Sequence, residues 1–250
     1  MITAEPNDVY HANGCIGSSK VKAAAKGYDC FYDYMTSKKK PTDAMRRGSY
    51  LDAYFTEPHE LENFKPCQLV TTTEEIAKKL DQRMPQSVRK IIDECEKQVV
   101  IRIGDRQAKF DLFDLKRRVI YDLKTTTQFD RIQYVLQDML YDIQAGHYKG
   151  IADEELGEPF DFKFIFLDMA SPHRWKIVDL PGDYLWQCTQ RAEKALCQTR
   201  AFIHEFEDGR LPAFSHNYIV QELITPQFLP LTLEGRHENH FLPDTPDDFI

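Results

Sequence analysis

The stretch that most constrains the fold runs from Lys109 to Thr127, K-F-D-L-F-D-L-K-R-R-V-I-Y-D-L-K-T-T-T. Phe110, Leu112, Phe113 and Leu115 suit one strand, and Val119, Ile120, Tyr121 and Leu123 suit another; the polar Lys116-Arg117-Arg118 between them reads as a turn. These residues predict a hairpin. With the turn centred between Lys116 and Arg117, Leu115 pairs with Arg118 and, counting back, Asp111 pairs with Asp122. Side chains alternate with a period of two, so Lys124 leaves the sheet on the face of Asp122. Like charges directly opposite are destabilising, and a half-buried carboxylate pair is costly without a cation. A divalent metal supplies one, and hard oxygen ligands suit magnesium or manganese. The alternative is a solvated face carrying one or both aspartates, and the surrounding sequence has to decide.

The helices and strands around this hairpin follow from apolar spacing. A helix is expected from Ser18 or Ser19 to about Met35, weakened by Gly27, and a second from Thr42 or Asp43 to Pro58. Helical sequence returns from Thr71 to about Lys97, divided by Pro85, and leads into a strand at Val99 to Ile103. After the hairpin, one helical face recurs between Phe129 and Tyr148, with Gly150 as its stop; it places Gln144 and Tyr148 one turn apart. Phe160 to Leu167 and Trp175 to Val178 read as paired strands, and Pro181-Gly182-Asp183 opens a last helix to about Phe206. The plan is αβββαβ with one catalytic-looking face.

Composition sets limits on the function. The 250 residues are 42% hydrophobic and 29% charged, enough for one good-sized core. No run approaches the roughly 18 apolar residues of a membrane span, and M-I-T-A-E-P-N-D lacks the regions of a signal peptide, so a cytoplasmic protein is expected. Six dispersed cysteines without a C-x-x-C pair indicate free thiols rather than zinc or disulfides. The net charge of -8 opposes a nucleic-acid partner only on average. Lys38, Lys39, Lys40, Arg46 and Arg47 form one basic cluster, and Lys109, Lys116, Arg117, Arg118 and Lys124 another. The first could grip DNA phosphates or be a solvated charge run, with equal weight.

Four motifs in order resemble the PD-(D/E)xK nuclease superfamily: Tyr10-His11 with the following G-S-S-K, R-R-G-S-Y-L-D-A-Y-F-T-E-P, D…D-L-K-T-T-T, and the Q-x-x-x-Y pattern in Q-A-G-H-Y. Within it the chain is most similar to the RecE type, the exodeoxyribonuclease VIII nuclease domain, and more distantly to lambda exonuclease and the RecB nuclease domain. The resemblance implies an α/β (α+β) fold with a restriction-endonuclease-like core, a mixed central sheet flanked by helices. It implies a single nuclease domain over 1–215, mainly helical at 1–97 with its catalytic core at 98–208. The acidic, proline-containing tail at 216–250 falls outside it and is expected to be flexible.

The resemblance further implies a 5'-to-3' exonuclease, dependent on Mg2+ or Mn2+, acting on ends of linear double-stranded DNA. A ring-shaped homo-oligomer, a single-strand annealing protein as partner and a phage or prophage origin in a bacterial host belong to the same expectation. Asp111 and Asp122 would hold the metal with the main-chain carbonyl of Leu123; Lys124 would orient and acidify the attacking water; Gln144 and Tyr148 would position the lysine, the water or a phosphate. Thr125 joins Lys38, Lys39, Lys40, Arg46 and Arg47 as a DNA-binding candidate. The tight cysteine group that holds an iron-sulfur cluster in some relatives is not supplied by Cys188 and Cys197, so none is expected.

One departure stands in Gly48-Ser49-Tyr50-Leu51-Asp52-Ala53-Tyr54-Phe55-Thr56-Glu57-Pro58, where Asp52 occupies the place of a customary metal-binding histidine. Aspartate still suits magnesium, so retained function is expected. Glu57 is read as a cap or packing residue. His11, His147, His173 and His204 are read as structural or exposed. Three other readings stay open: a nuclease of the same fold with different polarity or endonucleolytic habit, a non-catalytic DNA-binding descendant, and partner recruitment through the terminal Asp247-Asp248-Phe249-Ile250.

Overall fold

The computed structural model describes residues 2–4, 7–37 and 40–212; Lys38, Lys39 and the tail at 216–250 lie outside the described residues. Among the described residues, six strands form one mixed sheet in chain order: β1 Ile2–Ala4, β2 Glu96–Ile103, β3 Arg106–Asp114, β4 Val119–Thr126, β5 Asp161–Asp168 and β6 Trp175–Asp179. All neighbours are antiparallel except β4 and β5, which run parallel from Val119↔Asp161 to Thr126↔Asp168. A parallel pair requires a crossover, and here it carries α7 Ile132–Asp138 and α8 Tyr141–Leu156.

Helices cover both faces of the sheet. Phe110, Ile120, Phe162, Phe164 and Phe166 point to one core with α7, α8 and α9 Gly182–Glu207. Leu112, Val119, Tyr121, Leu123, Ile165 and Leu167 point to a second, with α4 Asp43–Thr56, α5 Gln68–Gln82 and α6 Gln86–Glu94. The three phenylalanines of β5 are fully buried, and each stabilises the fold by roughly 1.5–3 kcal/mol. α2 Ser18–Ala25 and α3 Tyr28–Thr36 pack on α9, where Phe31 meets Phe202 at 5.9 Å.

Several helix boundaries differ from the sequence expectation. The expected single helix at 18–35 is two, because Gly27 adopts a φ of 118° that a continuing helix does not allow. A short α1 Asn7–Ala12 precedes it, where only a polar start was read. α5 begins at Gln68 rather than Thr71, and Pro85 divides α5 from α6 as expected. The helix expected across 129–148 is broken at Leu140, whose φ is 50°, and α8 runs through Gly150 to stop at Gly157 with φ 69°. Gly150 lowers helix propensity by only about 1 kcal/mol, which the burial of Ile151 and Ala152 beside it offsets. The break turns α8 between the sheet and α9, where a Cβ on Gly146 would lie 2.1 Å from the Cys188 carbonyl oxygen. Gly146 therefore permits a close approach of α8 to α9 and leaves α8 buried nearly all round.

The hairpin has the expected register, Leu112↔Tyr121, Phe113↔Ile120 and Asp114↔Val119, and its ladder ends one step short of Asp111 and Asp122. On the other side of β3, Lys97↔Leu112 and Val99↔Phe110 are paired while Gln98 and Asp111 between them are not. Both ladders thus open at one level. The side-chain alternation of β3 slips there too: Phe110 and Phe113, three residues apart, share a core and stack at 5.2 Å. Strict period-two alternation, expected through β3, fails at Asp111.

Candidate active site

The break in the ladders gathers polar groups from five elements. Asp111 Oδ2 accepts the Leu123 N–H at 2.7 Å, so a side chain occupies the place a strand carbonyl would take. Asp122, 1% exposed, accepts the Gln144 amide from α8 at 2.8 Å on Oδ1, and the Lys124 ammonium contacts its Oδ2. Oδ2 is buried, with the Lys124 ammonium as its partner. Asp52 arrives from α4 on the opposite face; Gln98 Nε2 donates to its two oxygens at 3.4 and 3.3 Å and to Thr56 Oγ1 at 2.8 Å. Opening β3 from β4 lets the two faces communicate at this point.

Charge balance here is unusual for buried groups. Burial first, then Asp52 and Asp122, push the Asp111 carboxyl well above the usual carboxylate range. Burial pushes Asp52 up to about 6 against the pull of Lys124, with Asp122 and Glu57 adding to the rise. Burial works to lower Lys124, but Asp122, Asp111 and Tyr141 outweigh it, and the side chain stays a firmly protonated ammonium. Three carboxylates therefore share one immediate ammonium.

Sequence reasoning missed three further participants. Lys22 of α2 donates to Gln144 Oε1 at 3.4 Å and is pushed down to about 8 by burial and by Lys124. Lys22 and Lys124 approach the ring of Tyr141 at 5.3 and 4.9 Å, the distance of cation–π contacts. Gln98 is the third, and a polar residue just ahead of the apolar run Val99-Val100-Ile101 was its available signal. Lys22 had no such signal, because its partner is 122 residues away in the chain.

The other predicted residues lie as follows. Tyr148 is buried, edge-on to Phe110 at 5.4 Å, with its hydroxyl bonded to Ser18 and within electrostatic reach of Asp122 and Asp111. Arg46 and Arg47 turn toward α5, contacting Cys67 Sγ at 3.7 Å and Thr73 Oγ1 at 3.4 Å; Lys40 is exposed. Thr125 lies against α4, its Oγ1 3.4 Å from where a Cβ on Gly48 would stand. Glu57 caps α4 and pairs with Lys109 at 3.8 Å. His147 and His173 are buried, and His204 lies in the last turn of α9.

The donor set suits a hard divalent cation: all three side chains offer oxygen, Asp122 raises the proton affinity of both Asp111 and Asp52, and Asp122 Oδ2 is buried with Lys124 against it. Among the described residues, no three His, Cys, Asp or Glu side chains converge into a finished cage. Lys124 lies on Asp122 instead, which spaces the carboxylates around an ammonium. The donor chemistry fits a metal.

No protein-family model and no curated protein matches the chain. The fold is similar to that of a candidate exonuclease from Eubacterium rectale, with a TM-score of 0.64 and 17% identity over 84% of this chain and 89% of that one. A phage-related exonuclease from Haemophilus somnus aligns with a TM-score of 0.41 and 13% identity over 76% of this chain and 83% of that one. Among the described residues, no helix is long and apolar enough to cross a membrane.

Proposed function

We propose that the chain is a metal-dependent deoxyribonuclease that removes nucleotides from 5' ends of linear double-stranded DNA and exposes 3' single strands. The observation that carries the chemistry is the cluster of Asp52, Asp111 and Asp122 around Lys124 at the opened strand ends. Polarity, a ring-shaped assembly, an annealing partner and a phage origin rest on the motif resemblance. Asp111 and Asp122 would hold magnesium or manganese with the Leu123 carbonyl, and Asp52 would complete the oxygen set. A cation bound there supplies a water of lowered pKa and neutralises charge on the phosphate.

The chain's own groups account for the rest. Lys124, held as an ammonium, donates to the nucleophilic oxygen and stabilises it as hydroxide. The oxygen attacks phosphorus as the bond to the departing sugar oxygen breaks; the proton lost from water passes to solvent, and the departing oxygen takes one up from solvent to leave as the alcohol. Gln144 keeps Asp122 oriented through Oδ1. Lys22 fixes the Gln144 amide and adds positive charge near the incoming phosphate.

The test is digestion of linear duplex DNA labelled separately at its 5' and 3' ends, with magnesium, with chelator, and with Lys124→Ala. Magnesium-dependent release of 5' label that disappears in the variant is expected. Folded protein that binds DNA without cutting it in magnesium or manganese would make the non-catalytic reading correct.

A further inference from the structure

Gln98 is the one residue at this site whose backbone is strained. Its φ of 53° lies in the left-handed region, which a glutamine within a strand rarely adopts. It is 5% exposed, and it drops out of the β2–β3 ladder between Lys97↔Leu112 and Val99↔Phe110, opposite Asp111. Regular pairing would relieve the strain and restore the ladder. The side chain shows what the unusual backbone achieves: it reaches α4 on another layer, where Nε2 spans both oxygens of Asp52 and bonds Thr56 Oγ1. Thr56 Oγ1 donates in turn to the Asp52 main-chain carbonyl at 2.8 Å, so its lone pair is oriented to accept from Gln98. Amide, hydroxyl and carboxylate form a closed set.

A carboxylate on a short side chain rotates easily about its last bond, so one hydrogen bond leaves its plane undetermined. Contacts to both oxygens from a donor that is itself anchored at a third point fix that plane. Outer partners of this kind orient a metal ligand without touching the metal. Strain at a non-glycine residue beside a site is the pattern expected where geometry is held for function at the expense of the local backbone.

We propose that Gln98 is a positioning residue, held in a left-handed backbone so that its amide sets the orientation of Asp52 toward the bound divalent cation. This rests on the reading of Asp52, Asp111 and Asp122 as a metal centre. It makes Asp52 a competent ligand although it arrives from the opposite face of the sheet.

The experiment measures manganese affinity by titration calorimetry, and urea midpoints, for wild type, Gln98→Gly and Gln98→Asn. Glycine accepts the backbone conformation and removes the donor; asparagine tolerates the conformation but its amide is one methylene short. Both variants are expected to bind manganese roughly 10–100-fold more weakly while unfolding near the wild-type midpoint. In the nuclease assay the metal concentration for half-maximal rate should rise, with the rate recovering at high metal. Manganese affinity within threefold of wild type in both variants overturns the proposal, as does loss of the fold in both, which would make the role structural. If wild type itself binds no manganese, the metal-centre reading falls and this inference falls with it; wild-type binding with unaltered variants removes only the role of Gln98.

Discussion

Asp111 and Asp114 lie three residues apart on β3, both desolvated, in opposite electrostatic settings. At the turn end, Asp114 accepts the Arg117 N–H at 2.8 Å and its guanidinium at 2.7 Å, and Arg117 also reaches Glu94 at 2.7 Å. Burial works to raise the Asp114 carboxyl, but the bonds from Arg117 outweigh it and hold it below its ordinary value. At the open end, Asp111 accepts one main-chain N–H, and burial first, then the Asp52 and Asp122 carboxylates, raise its carboxyl against the pull of Lys124. Burial alone therefore does not separate a structural carboxylate from a functional one. The ratio of carboxylates to nearby donors does, and at Asp111 that ratio leaves room for a cation.

The largest expected effect separates the two ends by activity. Asp122→Asn should lower the rate of magnesium-dependent cleavage by about a thousandfold, whereas Asp114→Asn should leave it within a few-fold while costing about 1–3 kcal/mol of stability. Equal loss of activity in both variants, at matched folded fraction, would break the comparison.

A second measurement sharpens it without any assay of cleavage. Magnesium at a hundred times its Kd should stabilise wild type and Asp114→Asn by about 2.7 kcal/mol, read as a rise in Tm, and Asp122→Asn by much less. A rise of equal size in Asp122→Asn would place the cation elsewhere.

The smallest effect is a pH dependence of opposite sign at the two ends. Asp52, pushed up to about 6, binds its proton more tightly folded than unfolded. Its favourable contribution is complete below its ordinary value of 3.8 and is lost as pH rises through about 6. Asp114, held low, contributes above 3.8 and loses that contribution as pH falls. Between pH 4 and pH 7.5, Asp52→Asn should gain on wild type by about 1–3 kcal/mol in urea denaturation, while Asp114→Asn should fall further behind. Parallel pH profiles for the two variants would remove the electrostatic contrast.

Much of this arrangement is legible in the chain because its causes are local. The period of two placed Lys124 beside Asp122, the turn centre set the Leu112↔Tyr121 register, and the four-residue spacing put Gln144 and Tyr148 on one helix. Helix ends were legible where a proline or cap acts, as at Thr42, whose hydroxyl accepts the Met45 N–H. They were not legible at Leu140 or Gly150, where burial against the sheet and α9 overrides propensity. The site was read without Gln98 and Lys22, and the packing of the Tyr148 ring on Phe110 was not legible in a four-residue spacing that speaks only for its place on the helix.

Taken alone, the sequence determined the strands from β2 to β6, the hairpin and the line of Asp111, Asp122 and Lys124, because those follow from side-chain period and turn chemistry over a few residues; β1 was not read from it. Only the tertiary structure decided that both ladders open at Asp111, that Asp52 meets the cluster from the other face, and that Gln98 and Lys22 join it. Those outcomes depend on how layers pack across the sheet. The energy of a buried charge is set by every group within several ångströms in space, and most of those groups are far away in the chain.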